Sequence, residues 1–250
     1  MEISKGKLSK YALLRHKKYR VKEGLFMVQG EKAVEDTLGK FDVEAILSVS
    51  PERYSFLKDK RNIFTVSDNE IKKISSLENI PGIIAIFKIP TDSDSSKNKL
   101  SMPKGEFSLA LDGVQDPGNL GTIIRTTHWF GIKRIYCSHD TVDVFNPKVV
   151  MSTMGSIAAV KVISCSLTEL IEHNPDLPVY GLLLEGENIF KIKNLTPGLI
   201  IMGSEGHGIA EETRRKITQG LTIPASDNSD RPESLNVAIA TAITLSQLIK

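Results

Sequence analysis

An arginine shortly after a helix-starting turn is the residue of this chain best suited to bind a phosphate. Residues 116–118 (Asp-Pro-Gly) predict a turn, Asn119 is placed to cap the next helix, and Arg125 lies on that helix. Gly121 is four residues before Arg125, so the two share one helix face, where the glycine leaves a notch. Arginine is a permanent cation, so it can bind a phosphate and stabilise a developing oxyanion. A surface arginine on an ordinary capped helix would show the same pattern.

A second segment, residues 202–208, combines three glycines with an acidic residue directly after an apolar strand. Gly203, Gly206 and Gly208 allow the backbone to approach a ligand closely. Their order differs from the Gly-x-Gly-x-x-Gly of a dinucleotide loop. Glu205 near the start of the following helix is favourable for the helix dipole, so a tight turn without a ligand is the alternative interpretation.

The third segment, residues 234–238, opens the last helix of the chain. Ser234 is a natural N-cap residue, which is its simplest structural explanation. No Ser-His-Asp set, metal-ligand cluster or Walker loop accompanies the three segments.

The three segments resemble, in order and separation, those of the SpoU (TrmH-like) branch of the SPOUT RNA methyltransferases. Residues 119–125, 202–208 and 234–238 carry this resemblance. It implies an enzyme that uses S-adenosyl-L-methionine to methylate a ribose 2′-hydroxyl in structured RNA. In such a reaction the hydroxyl proton must leave while both reactants are held in line, and orientation alone can contribute about 7–11 kcal/mol.

The resemblance also implies which residues form the site. The expected catalytic residues are Asn119, Arg125, Glu205, Ser234 and Asn236. Arg125 has the central role, as electrostatic stabiliser or as base, and the permanent positive charge of arginine argues against the base. Glu205 is expected to anchor the network through Asn119, while Ser234 and Asn236 position the arginine and the ribose.

The methyl donor is expected to contact backbone groups at Gly203, Ile223 and Leu235, with a further contact at Leu183. No metal is expected. The loop 225–233 is longer than is usual in the family, which affects its predicted course and access to the donor pocket.

A further matching stretch covers residues 146–150 and 154–155. Between these two ranges, Met151 stands where the family frequently has a basic residue. The resemblance therefore predicts a weaker grip on RNA at this point.

The first ninety residues are predicted to form a small α/β domain. Helices are expected at 8–22, 31–38, 53–58 and 71–77, the last capped by Asp68, and strands at 44–49, 62–66 and 83–89. The start of this region is similar to the family's substrate-binding domain, which resembles the RNA-binding ribosomal L30e fold. A polar stretch at 91–99 predicts a linker. The expected domains are 1–90 for RNA binding, 91–105 as linker and 106–250 for methyl transfer.

The second domain is also predicted to be α/β. Strands are expected at 107–111, 133–137, 158–163, 179–184, 199–202 and 221–223, and helices at 120–130, 147–153, 167–173, 210–218 and 235–249. This alternation predicts a parallel sheet with right-handed crossovers. Only the resemblance adds a deep trefoil knot, in which residues after about 200 pass through an earlier loop.

Composition indicates an ordinary globular protein of 250 residues, 40% hydrophobic and 25% charged. No apolar run is long enough to span a membrane and no secretory signal is recognised, so a cytoplasmic location is expected. Cys137 and Cys165 are interpreted as reduced core thiols. Residues 1–22 carry a net charge of +7 while the rest of the chain sums to −5, which suits docking to phosphate backbones.

The function predicted is therefore 2′-O-methylation of ribosomal RNA of the 23S type, with transfer RNA as the second candidate substrate. An RNA-binding or ribosome-assembly factor without catalysis is the main alternative, and a nucleotide-binding α/β enzyme is a weaker one. Family members are homodimers. The apolar last helix is consistent with burial either in the core or against a partner subunit.

Overall fold

Two β-sheets organise the chain, each within its own unit of a computed structural model that describes residues 3–58, 60–90, 99–226, 230 and 232–249. The first unit comprises Met1–Asp92 with Asp143–Ala158, and the second comprises Ser93–Val142 with Ala159–Lys250. Most of the predicted linker and part of the loop 225–233 lie outside the described residues. The predicted domain boundaries stay a prediction, and they did not anticipate that Asp143–Ala158 folds with the first unit.

The strands have the following bounds: β1 Leu25–Gln29, β2 Val43–Ser48, β3 Ile63–Thr65, β4 Ile83–Lys88, β5 Ser108–Asp112, β6 Arg134–Cys137, β7 Lys161–Ser164, β8 Val179–Asn188, β9 Leu199–Gly203 and β10 Gln219–Thr222. The helices are α1 Lys5–Ala12, α2 Lys17–Glu23, α3 Glu31–Thr37, α4 Asp68–Ile74, α5 Pro117–Trp129, α6 Pro147–Ser152, α7 Leu167–Glu172, α8 Glu211–Arg214 and α9 Val237–Leu248.

The sheet of the first unit has the order β1-β4-β2-β3, with β2 and β3 parallel and the other neighbours antiparallel. Successive side chains of a strand point to opposite faces. Leu25 and Met27 accordingly join a core with residues of α1 and α4, whereas Phe26 and Val28 join a second core. That second core includes Val150 and residues of α3, so α6 and its neighbours cover one face of the sheet. This burial explains why Asp143–Ala158 belongs to the first unit.

The predicted single helix over 8–22 is wrong, because the backbone is extended at His16 between α1 and α2. On α2, Arg20 is only 2% exposed and is held by a hydrogen-bonded ion pair. Its Nε and Nη2 donate to Asp143 Oδ2 at 2.9 and 2.5 Å, and its Nη1 donates to the Leu14 carbonyl at 2.8 Å. A buried guanidinium needs such partners, and the interruption of the helix lets Arg20 reach them.

Other differences from the sequence prediction in this unit are local. The chain segment expected as a helix over 53–58 forms two 3₁₀ turns, Pro51–Arg53 and Ser55–Leu57. The cap of α4 is Ser67 rather than Asp68, because Ser67 and Glu70 form a reciprocal capping box. Strand β1, all of whose residues are buried, was not predicted.

The sheet of the second unit has the order β10-β8-β9-β5-β6-β7, and every pair of neighbours is parallel. The predicted α/β class and parallel sheet are therefore confirmed. The helix predicted over 210–218 is limited to α8, and the strand predicted over 158–163 is shifted to β7. Among the described residues, none of the helices is both long and apolar enough to cross a membrane.

Candidate active site

Three of the four expected donor-binding residues lie near one edge of the parallel sheet. Gly203 is the last residue of β9, Ile223 directly follows β10, and Leu183 follows the part of β8 that pairs with β9. These three strands are neighbours and run in the same direction. The carboxyl ends of parallel strands meet at one edge, where open α/β sheets bind their ligands. The fold thus gathers three residues that are widely separated in sequence.

Strand β8 leaves its regular pairing near this edge. Its register with β10 jumps from the pair Gly181–Gly220 to the pair Glu187–Leu221, so the residues between Gly181 and Glu187 bulge out. Leu184 in this bulge is 79% exposed, and its carbonyl accepts a hydrogen bond from the Thr222 hydroxyl at 3.0 Å. The bulge therefore presents apolar side chain and backbone beside the ends of β9 and β10.

The glycine segment after β9 forms a closed turn. Ser204 and Gly208 exchange two backbone hydrogen bonds of 3.0 and 2.9 Å, and His207 N donates to Ser204 Oγ at 3.2 Å. A Cβ at Gly203 would lie 2.2 Å from the Gly208 carbonyl carbon, so no larger residue fits there. The turn carries Glu205 at its exposed tip.

A buried carboxylate that the sequence prediction missed fixes this turn. Asp112 ends β5, is 7% exposed and lies beside Gly203 in the sheet register. Its Oδ2 accepts a hydrogen bond from Ala210 N at 3.0 Å, which ties the far end of the glycine turn to β5. The available signal was a carboxylate placed at the end of a buried strand and directly before a glycine, Gly113.

Three of the expected catalytic residues form one continuous hydrogen-bonded chain. Asn119 Nδ2 donates to Glu205 Oε1, and Asn236 Nδ2 donates to Asn119 Oδ1 at 3.0 Å. A carboxylate only accepts, so Asn119 must direct its amino group to Glu205 and its carbonyl oxygen to Asn236. The chain joins the start of α5, the glycine turn and the start of α9; Glu205 and Asn236 are exposed and Asn119 is half-buried.

The helix caps differ from the prediction, and this difference allows the hydrogen bonds between Glu205, Asn119 and Asn236 to form. Asp116, not Asn119, caps α5 by accepting from Asn119 N at 2.8 Å. Asn236, not Ser234, caps α9, because its Oδ1 accepts from the backbone of Ala238 and Ile239. The side-chain carbonyl oxygen of Asn119 and the side-chain amino group of Asn236 therefore remain available to bond each other.

Ser234 and Leu235 lie just before this cap and are exposed. The Ser234 side chain contacts no hydrogen-bond partner within the described ranges, so the structure does not bring it into the chain. Its expected role in positioning the arginine and ribose stays a prediction.

Arg125 is exposed and makes no hydrogen bond or ion pair with the residues that the structure describes. It lies six residues after Asn119, about 9 Å along the axis of α5. A shallow cavity of about 290 Å³ is lined by Arg125, Thr122, Thr126 and Trp129. Gly121 is buried, so the notch predicted beside Arg125 is not open to solvent. The guanidinium is left available to an external anion.

The motif stretch at residues 146–155 lies in the first unit and has local structural roles there. Asn146 caps α6 by accepting from Lys148 N at 2.9 Å, and Pro147 occupies the first helical position. Gly155 has a φ of 87°, and a Cβ there would lie 2.8 Å from the Asp36 Cβ. Met151 is partly exposed and supplies no charge.

The two cysteines are buried free thiols, as expected. Burial raises the pKa of the Cys165 thiol to about 11 and also raises the pKa of the Cys137 thiol. Both thiols are therefore neutral at pH 7 and are poor nucleophiles. Over the described part of the chain, no group of three His, Cys, Asp or Glu side chains is arranged to hold a metal ion.

In a comparison with known proteins, each of the two regions of the chain matches a protein-family model. Residues 106–246 match the SpoU rRNA Methylase family, and residues 7–85 match the MRM3-like substrate binding domain. The 23S rRNA (guanosine(2553)-2′-O)-methyltransferase RlmP of Bacillus subtilis is 29% identical over 247 residues, which are 97% of this chain and 95% of the relative.

Solved structures show the same likeness. A protein of the TrmH family of RNA methyltransferases from Porphyromonas gingivalis has a TM-score of 0.85 and 34% identity, with 99% of this chain and 98% of that chain covered. An AdoMet-bound rRNA methyltransferase from Sinorhizobium meliloti has a TM-score of 0.85 and 28% identity, with 99% and 96% covered.

Proposed function

This chain belongs to the SpoU rRNA methylase family, and we propose that it methylates a ribose 2′-hydroxyl in structured ribosomal RNA with S-adenosyl-L-methionine as donor. One observation carries the proposal. The hydrogen-bonded chain of Glu205, Asn119 and Asn236 links the three segments of the family motif, and Arg125, on the same helix as Asn119, has no ion-pair partner among the described residues.

The residues at the sheet edge fit the proposed donor. Gly203, Ile223 and Leu183 follow neighbouring parallel strands, where apolar side chains and backbone groups suit an adenosine. In the closed turn, the backbone of Gly208 lies so close to Gly203 that no side chain fits at position 203. Leu235 is half-exposed at the start of α9 and could supply a further apolar contact. When bound, S-adenosyl-L-methionine supplies an electrophilic methyl group on a sulfonium leaving group.

The protein's contribution is to position and stabilise charge. The free guanidinium of Arg125 binds an RNA phosphate and stabilises the negative charge that develops on the attacking ribose oxygen. Because arginine stays protonated at neutral pH, it acts as electrostatic stabiliser and not as base. The chain of Glu205, Asn119 and Asn236 holds the starts of α5 and α9 against the glycine turn, so the RNA-binding and donor-binding groups keep a fixed geometry.

Ribosomal RNA is the proposed substrate, and RNA of the 23S type comes first. The Bacillus subtilis relative is named for a guanosine of 23S rRNA, and it spans nearly all of this chain. The region matching a substrate-binding domain supports a dedicated RNA contact outside the methyltransferase unit. Transfer RNA is the second candidate. The trefoil knot and the cytoplasmic location stay predictions.

A homodimer is part of the proposal. Helix α9 buries most of its residues within the unit, yet Ile239 on α9 is half-exposed and the Trp129 indole on α5 is 85% exposed. Large apolar side chains that are exposed in the single subunit are typical of a subunit interface. Sedimentation of the wild type as a dimer, and of Trp129→Glu as a monomer, would support this; a monomeric wild type would contradict it.

The experiment that tests the function combines two measurements on the purified chain. Calorimetry with S-adenosylhomocysteine should show binding in the micromolar range. Labelled methyl groups should pass from S-adenosyl-L-methionine to unmodified 23S rRNA, and the RNA backbone should become resistant to alkaline cleavage next to one ribose. Absence of both signals alongside intact RNA binding would instead identify an RNA-binding assembly factor.

A further inference from the structure

Helix α2 turns a basic face to the solvent while its opposite face is fixed to the first unit. At 100° per residue, Lys17, Lys18 and Lys22 lie within an arc of about 140°. Arg20 points away from this arc and is locked by Asp143 and the Leu14 carbonyl. All three lysines are exposed. The helix is thus held rigidly, with three cations on one side.

Among the described residues of the first unit, the acidic side chains that form ion pairs do so with cations outside this face. Glu23, the acidic residue on α2, pairs with Lys10 on α1 at 2.6 Å. None of the three lysines forms an ion pair with a residue that the structure describes. Elsewhere in the unit, carboxylates are engaged in other contacts, which involve Asp143 with Arg20, Asp36 with Lys32, Glu70 with Ser67 and Glu44 with Tyr11.

An aromatic ring adjoins the basic face. Lys18 Nζ lies 4.9 Å from the centroid of the Tyr19 ring, and the His16 ring meets the same ring at 6.4 Å with an interplanar angle of 60°. Val21, between the lysines, is 70% exposed. Lysines next to an aromatic ring suit a nucleic-acid strand, because phosphates bind the cations and a base can stack on the ring.

We propose that Lys17, Lys18 and Lys22 of α2 form a contact surface for the sugar-phosphate backbone of the RNA substrate. The proposal rests on the proposed function in taking RNA as the partner. It goes beyond it in assigning the RNA contact to three named lysines on one face of α2. Three phosphate contacts would make binding depend on salt but not on sequence.

RNA fits this face better than an anionic membrane does. A helix that binds a membrane surface needs a broad apolar face opposite its cations, whereas the opposite face of α2 is occupied by the buried Arg20. Val21 is the exposed apolar residue among the lysines, and one such residue gives little insertion area.

The test replaces the three lysines by glutamine in the full chain and measures binding to a 23S rRNA fragment over a range of salt concentrations. A matched control replaces Lys40, Lys60 and Lys88, which are exposed lysines of the same unit. The α2 variant should bind RNA at least tenfold more weakly at 0.15 M salt, and the slope of log affinity against log salt should fall by about 2 to 3. The control should change both quantities much less.

Equal loss in the α2 variant and the control, or no loss in either, would overturn the proposal. Binding of the wild type to anionic vesicles that is abolished by the α2 change, with RNA affinity intact, would also overturn it. The outcome is separable from that of the proposed function. The α2 variant should bind S-adenosylhomocysteine like the wild type, and RNA binding through α2 can hold even if the wild type transfers no methyl group.

Discussion

Two polar clusters of this molecule use similar groups in opposite surroundings. In the first unit, Arg20 and Asp143 form a largely buried ion pair in which each of the three guanidinium nitrogens donates to an acceptor. In the second unit, Glu205, Asn119 and Asn236 form a hydrogen-bonded chain near the surface, and Arg125 further along α5 is exposed and unpaired among the described residues. A buried charge must be satisfied internally, so it serves the fold, whereas an exposed and unpaired cation is free for a ligand. The comparison predicts that changes in one cluster affect stability and changes in the other affect methyl transfer.

The largest effect is expected for Arg125→Ala. Methyl transfer should fall by about 100- to 1000-fold, the loss typical of a group that stabilises a developing oxyanion. Unfolding free energy should change by less than about 0.5 kcal/mol, because the side chain is exposed. Single-turnover transfer, urea unfolding and calorimetry with S-adenosylhomocysteine measure the three quantities. Arg125→Lys, which keeps the charge without the planar fork, should recover only part of the rate. A large loss of stability, or transfer at the wild-type rate, would remove the distinction between the clusters.

Arg20→Met should have the opposite effect: the unfolding free energy should fall, and the methyl-transfer groups should stay intact. Removing one partner of a buried pair leaves the Asp143 carboxylate uncompensated, so the unfolding free energy should fall by about 3 kcal/mol. The double variant Arg20→Met with Asp143→Asn should lose less than the sum of the single changes, because no buried charge is left. Denaturant unfolding of all three variants checks this. Additive losses would show that the two side chains do not act as a pair.

Glu205→Ala should have a smaller effect on transfer. Asn119 then loses the acceptor that fixes its amide orientation, and transfer should fall about tenfold, which corresponds to one charge-assisted hydrogen bond in an exposed site. Glu205→Gln retains an acceptor oxygen and should recover most of the rate. Equal loss in both variants would show that the negative charge itself matters, and not the hydrogen bond to Asn119.

The smallest effect separates the two roles of Asn236. Asn236→Ala should lower the unfolding free energy by about 1 kcal/mol through loss of the α9 cap. Asn236→Ser can keep the cap but not the hydrogen bond to Asn119. Its unfolding free energy should therefore stay near that of the wild type, while its rate of methyl transfer should fall. Ser234→Ala serves as the control for stability. If Ser234→Ala proved the more destabilising change, Ser234 would be the cap after all.

The sequence predicted the parallel sheet because its strands are short apolar runs bounded by turn residues. Residues 199–202 and 107–111 are examples, and both match observed strands closely. The exact caps could not be predicted in the same way. Ser67 and Asp68, or Ser234 and Asn236, are all capable of capping, and only the final backbone geometry selects between them.

The placement of Asp143–Ala158 was not predictable either. Its apolar residues Val150 and Ile157 could have covered a face of either sheet, and local pattern does not encode which one. In the site, family resemblance identified Asn119, but the amide orientation that ties it to Glu205 depends on contacts between distant segments.

The most direct test of the account maps 2′-O-methylated riboses in the ribosomal RNA of cells that contain the wild-type chain, the Arg125→Ala variant or no copy of the gene. We expect one ribose that is methylated with the wild type and unmethylated in the other two, although the variant accumulates as folded protein. Identical methylation maps in all three would contradict the assignment of methyl transfer to this chain, and full methylation with Arg125→Ala would contradict the central role of its guanidinium.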